Sequence, residues 1–149
     1  MWKVVPASVI GTSHEQAGVP CQDASEFLRL NSGDEELLLV AIADGAGSAS
    51  LSHIGSGEAV RHLLAVIPRT NLALEEVTKE QARGWMLDVL NHLATVAERE
   101  GATLNQFDCT LLLGILGKNG AVFAQIGDGA WVVEKENEVV AGTWPQNGE

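Results

Sequence analysis

The chain has 149 residues, 46% of them hydrophobic and 19% charged, with a formal net charge of −11. That length suits one domain with a real core, and the composition is that of a folded rather than a disordered chain. With 20 acids against 9 basic residues there is no basic footprint for nucleic acid, and no apolar run reaches the roughly 18 to 20 residues of a membrane span.

Met1 to Pro6 lacks the apolar core of a signal peptide, so a soluble cytoplasmic protein is expected. The acidic balance serves solubility; it also lets several carboxylates converge on a cation. Cys21 and Cys109 show no Cys-x-x-Cys spacing and read as two reduced, small apolar residues.

In chain order, residues 3–10 mix β-branched and small side chains and predict a first strand, interrupted at Pro6. Residues 11–20, with two glycines, a proline and His14, predict a loop. Residues 26–30 alternate weakly as a second strand, and Asn31-Ser32-Gly33-Asp34 carries turn chemistry. Residues 37–43 form an apolar run with the length of a strand buried on both faces, ending in Asp44. An antiparallel hairpin through that turn brings Asp23 close to Asp44.

A small-residue loop follows Asp44, and the spacing of Ala59, Leu63, Leu64 and Ile67 predicts a helix from about residue 54 or 56 until Pro68 stops it. Thr78 with Gln81 resembles a capping box, opening a second helix whose face carries Met86, Val89, Leu90, Leu93 and Ala97 and whose cap is Gly101. Residues 107–116 predict a buried strand, and Asn119-Gly120 is a hairpin signal into a strand over 121–126. Gly127-Asp128-Gly129 interrupts; strands over 130–134 and 139–141 follow, separated by a turn at Glu136-Asn137. Strands, two helices, then strands argue an α+β fold of mostly antiparallel sheet.

Asp23, Asp44 and Asp128 all lie at element ends, and glycine follows both Asp44 and Asp128. A carboxylate directly after a buried strand is costly unless paired, while glycine lets backbone approach a ligand. Each Asp-Gly alone is an ordinary turn. Three together favour a site for a hard, oxygen-preferring cation such as Mg²⁺ or Mn²⁺. Gly45-Ala46-Gly47 has Ser50 where a dinucleotide fingerprint needs its third glycine, and Asp44 would face the pyrophosphate. No Gly-x-Ser-x-Gly elbow supports a serine hydrolase. His62 and His92 are expected on helix surfaces, and Trp131 in the core. His53 lies in the loop beyond Asp44, and His14 lies where it could meet an anionic substrate.

The ordered set Gly11-Thr12-Ser13-His14, Cys21-Gln22-Asp23-Ala24, Ala43-Asp44-Gly45-Ala46-Gly47, Asp108-Cys109-Thr110 and Ile126-Gly127-Asp128-Gly129 resembles the metal-dependent protein phosphatases of the type 2C (PPM) family. It is most similar to the bacterial branch with a Cys-Gln-Asp-Ala stretch. The resemblance implies an α/β/β/α sandwich of mostly antiparallel sheets and hydrolysis of phosphoserine and phosphothreonine by a metal-activated water. It implies two or more Mg²⁺ or Mn²⁺ ions, with Asp44 bridging, the Gly45 carbonyl and Asp23 as further ligands, and Asp128 at a weaker site. A phosphoprotein substrate and a cognate Ser/Thr kinase are the partners it implies.

Departures from the family pattern are specific. Gln22 stands where many members have glutamate, the arginine that binds phosphate is absent with His14 the nearby substitute, and Ala46 replaces a histidine. After Asp128 only Glu134, Glu136, Glu138 and Glu149 supply acids, none in the family's downstream motifs. The expectation is therefore a single, incomplete phosphatase-like domain without the C-terminal part of the sandwich, inactive alone, with strand edges open to dimerisation. The alternative is a non-catalytic regulatory or interaction module of the same fold.

Overall fold

The computed structural model describes residues 2–33, 35–70, 72–135 and 138–143, apart from the side chains of Ser13 and Lys135. The elements run α1 (Thr12–Ala17), β1 (Asp23–Ser32), β2 (Glu35–Asp44), α2 (Ser52–Val66), α3 (Lys79–Glu100), β3 (Leu111–Leu116), β4 (Ala121–Ile126), β5 (Val132–Lys135) and β6 (Glu138–Ala141). The first four strands form one antiparallel sheet in the order β1-β2-β3-β4, while β5 and β6 pair separately. Helices over antiparallel sheet give the α+β class expected from the element order.

The core follows from period-two alternation in β2 and β3. Leu37, Leu39, Ala41 and Ala43 join Leu111, Leu113 and Ile115 in one cluster with Ala59, Val60 and Leu63 of α2 and Trp85, Met86 and Val89 of α3. The other face of β2 is more open: Val40 is half-buried and Ile42 is 38% exposed. Leu38 on that face is buried too, so the run is covered on both faces at its start and only on its helix-facing side toward Asp44, which narrows the expectation of burial on both faces. Trp131 is half-buried and packs against Phe123, with ring centroids 5.2 Å apart.

Several local expectations change. Residues 3–10 form no strand, since no neighbouring strand takes up their backbone among the described residues. The segment around His14 is not a loop but a short helix, closed by Gly18 in the left-handed region. The strand expected over 107–116 begins at Leu111, because Leu104–Phe107 forms a 3₁₀ turn capped by Thr103. Thr78 Oγ1 does accept from the Gln81 N–H at 3.1 Å, and Gly101 does close α3 with φ 65°. Leu90, placed on the buried face by its spacing, is 48% exposed, and Trp85 and Val96 are buried instead. His53 lies within α2 rather than in a loop. The turn at Glu136-Asn137, the last turn position Asp34, and residues 144–149 lie outside the described residues.

The expected surface histidines prove to be a contact between helices. His62 of α2 and His92 of α3 stack with centroids 4.1 Å apart and planes 8° apart. His92 Nε2 sits 2.7 Å from Glu58 Oε2, and Arg61 donates to Glu58 Oε1 at 2.9 Å. Burial first, then the neighbouring His92, lowers the His62 pKa below the ordinary 6.5, against the pull of Asp88 and Glu58. The hydrogen bond with His92 is the main cause that lowers Glu58. Both groups bind protons less readily when folded, so their contribution is present above the unfolded pKa and lost as pH falls through the folded value. Thermal melts are therefore expected to show stability falling as pH drops from about 7 toward about 4. His62→Gln should flatten the upper part of that fall; an unchanged profile would remove His62 as its source.

Candidate functional site

The β1–β2 hairpin sets the first pair of acids. Its register places Asp23 directly opposite Asp44. Ala43 is fully buried on the helix side, so alternation puts Asp44, with its cross-strand partner, on the other face. Thr110 clamps the Asp44 backbone from the far side: Asp44 N–H donates to Thr110 Oγ1 at 3.0 Å, and Thr110 N–H donates to the Asp44 carbonyl at 2.8 Å.

The chain past Asp44 is held just as closely. Gly45 N–H donates to the Gln22 carbonyl at 3.1 Å, Gly45 bridges to Cys109, and Ala46 N–H donates to the Asp108 carbonyl at 2.9 Å. A Cβ on Gly45 would lie 2.8 Å from the Gln22 carbonyl oxygen and 2.8 Å from Ser52 Cβ. Glycine is therefore required for this close approach.

Asp128 arrives from β4. Leu111 pairs with Ile126, after which Gly127 turns the chain with φ 95°. A Cβ on Gly127 would meet Thr110 Cγ2 at 2.7 Å, so the loop carrying Asp128 is packed onto the same threonine that clamps Asp44. The electrostatics register this gathering. The Asp44 carboxyl is raised above its ordinary value, by burial first, then by the hydrogen bond and charge of Asp23, then by the charge of Asp128; His14 pulls it down. Burial first, then Asp108 and Asp44, pushes the Cys109 thiol up to about 11. Cys109 stays protonated at neutral pH and offers neither a thiolate nucleophile nor a soft metal ligand.

A carboxylate raised by burial and by two other carboxylates is relieved by a cation. The donors here are carboxylate and carbonyl oxygens, which suit Mg²⁺ or Mn²⁺ and not a soft metal. The residues thus fit a hard divalent ion in donor type and charge, although no three His, Cys, Asp or Glu side chains converge tightly enough to hold one among the described residues. Asp23, Asp44 and Gly45 are brought together at one strand end; Asp128 and His14 stand within electrostatic reach of Asp44. Sequence reasoning did not assign Thr110 its clamp, and only its place in the Asp108-Cys109-Thr110 motif marked it. A cavity of about 850 Å³ opens at the other end of the hairpin, beside Trp2, Glu35, Glu36 and Leu72; the chemistry of the donors, not cavity size, singles out the Asp44 end.

Comparison with known proteins gives an independent view. A family model, "Protein phosphatase 2C", matches residues 10–149. The curated "Serine/threonine-protein phosphatase 3" of Escherichia coli (strain K12) is 35% identical over 153 residues, covering 99% of this chain and 59% of that protein. The chain therefore spans about three-fifths of the length of this relative. No solved structure is a significant match. The hairpin that pairs Asp23 with Asp44, the Thr110 clamp and the Gly127-Asp128 turn all fall inside the matched span, and the chain belongs to the protein phosphatase 2C family.

Proposed function

We propose that this chain carries one side of the metal centre of a metal-dependent phosphoserine/phosphothreonine protein phosphatase. Asp23, Asp44 and the Gly45 carbonyl would hold Mg²⁺ or Mn²⁺, and Asp128 would serve a further, weaker site. The observation that carries the reading is the strand register that sets Asp23 directly opposite Asp44; burial first, then Asp23 and Asp128, raises the Asp44 carboxyl, a conflict that a divalent ion resolves. When bound, such ions supply Lewis acidity and an activated water for phosphoryl hydrolysis.

The chain's own residues have distinct tasks in this reading. The ten-residue pairing of β1 with β2 fixes the spacing of the two carboxylates, and Thr110 holds the Asp44 backbone from behind. His14 would donate a ring N–H to a phosphate oxygen of the substrate. Protonated Cys109 takes no part in attack. The substrate is a phosphoprotein, with a Ser/Thr kinase as the opposing activity. By itself the described donor set is partial, so the 149-residue chain would bind metal weakly and turn over little.

The second reading, a non-catalytic module of the same fold, draws on Gln22. This neutral residue is only 8% exposed beside the site, where a glutamate would add a ligand. Phosphate release from a phosphothreonine peptide, with Mn²⁺ titrated against chelator on the longest form of the protein, separates the two. Mn²⁺-dependent release is expected. Its absence from that form would leave the non-catalytic module standing.

A further inference from the structure

Helices α2 and α3 each carry an acid four residues before a histidine: Glu58 and His62 on α2, Asp88 and His92 on α3. Residues four apart share a helix face, and helix packing brings the two faces together. The imidazoles stack with centroids 4.1 Å apart. Glu58 Oε2 lies 2.7 Å from His92 Nε2, and the charge of Asp88 acts on His62 across the seam. The phosphatase reading uses none of the four.

Their chemistry says what would join them. Two imidazoles and two carboxylates are a nitrogen and oxygen set that suits a borderline ion such as Zn²⁺, unlike the all-oxygen set at Asp44. Imidazole binds a metal as the free base, and His62 is held toward that form: burial first, then His92, lowers its pKa, with Arg69 acting in the same sense and Asp88 and Glu58 against it. His62, Glu58 and His92 are half-buried, open enough for an ion to reach them.

As placed, no three of these donors close around one point among the described residues, and small movements would close them. A tetrahedral ion holds two imidazole nitrogens roughly 3.3 Å apart, near the 4.1 Å separation of the stacked rings. His62 makes no hydrogen bond among the described residues that would resist its turning. Arg61, which donates to Glu58 Oε1, has a side chain 55% exposed and is free to swing into solvent.

We propose that Glu58, His62, Asp88 and His92 form a Zn²⁺ site that ties α2 to α3, the hydrogen bond between His92 and Glu58 giving way to the ion. The proposal does not depend on the phosphatase reading.

Calorimetric titration with Zn²⁺ tests it, in excess Mg²⁺ to fill oxygen-only sites. Saturable binding that raises Tm is expected. It should weaken by about tenfold or more in His62→Gln, in His92→Gln and in Asp88→Asn, and should fall as pH drops below about 6 and the imidazoles protonate. Asp44→Asn should leave it unchanged. Melts without Zn²⁺ verify that the variants fold, and Asp88→Asn, at an exposed position, leaves the histidine stack intact should a histidine variant fail to fold. Co²⁺ in place of Zn²⁺ should give visible absorption that His62→Gln/His92→Gln abolishes. No Zn²⁺ binding in excess Mg²⁺ overturns the proposal. So does binding indifferent to the histidine and Asp88 substitutions, or binding that Asp44→Asn removes.

Discussion

In the longest form of the protein, Asp44→Asn is expected to lower Mn²⁺-dependent phosphate release by at least about 100-fold, the upper range for losing even an indirect metal contact. The same substitution should leave the metal-free protein as stable as before, or more so. The sign follows from the site. An acid whose pKa is raised on folding is more easily protonated in the native state, so its ionised form costs stability at neutral pH. Asparagine keeps the shape and removes the charge that Asp23 and Asp128 oppose. Thermal melts with and without Mn²⁺ read this directly: the native chain should gain Tm with the ion, and the variant should gain little. An equal Mn²⁺-induced gain in both proteins would show that Asp44 holds no metal.

Phe107→Ala is expected to produce the largest loss of stability, about 3–5 kcal/mol, the range for removing a buried aromatic ring. Phe107 is fully buried and forms a cluster with Val96 and Ala97 of α3, flanked by Leu51, Ile54 and Ala102. The ring also pins the backbone that frames the site. Immediately around it, Leu51 N–H donates to the Gln106 carbonyl at 2.8 Å, and Ala46 N–H donates to the Asp108 carbonyl at 2.9 Å. Loss of the ring leaves a cavity beneath these bonds. With native stability typically about 5–15 kcal/mol, urea unfolding should show a much lower midpoint, and Phe107→Leu should recover part of it. A loss below about 1 kcal/mol would mean that the segment collapses around the gap and does not depend on the ring.

Much of the site was legible because its signals are local. An apolar run that ends in an acid, a four-residue turn and a second run upstream determine a hairpin, and the hairpin determines that Asp23 meets Asp44. Asn119-Gly120 likewise led correctly to β4. What failed depended on partners distant in sequence. Residues 3–10 have strand composition, but a strand exists only where another edge takes up its hydrogen bonds. Leu90 has core spacing, but spacing alone does not say how far β4 reaches beneath α3. His62 and His92 lie on different helices, and their stacking comes from how α2 and α3 pack.

The sequence by itself determined the family, the α+β class and the candidate oxygen ligands, because these rest on residue types and their order. Only the tertiary structure decided how they are held. Thr110 is 66 residues from Asp44, yet it clamps that backbone from just ahead of the neighbouring strand β3 and meets the Gly127 turn on its other side. Such a contact is a product of strand order, β1-β2-β3-β4, and strand order is chosen by burial of one sheet face against two helices. No local periodicity encodes that choice, which is why the acids were visible in the chain and their support was not.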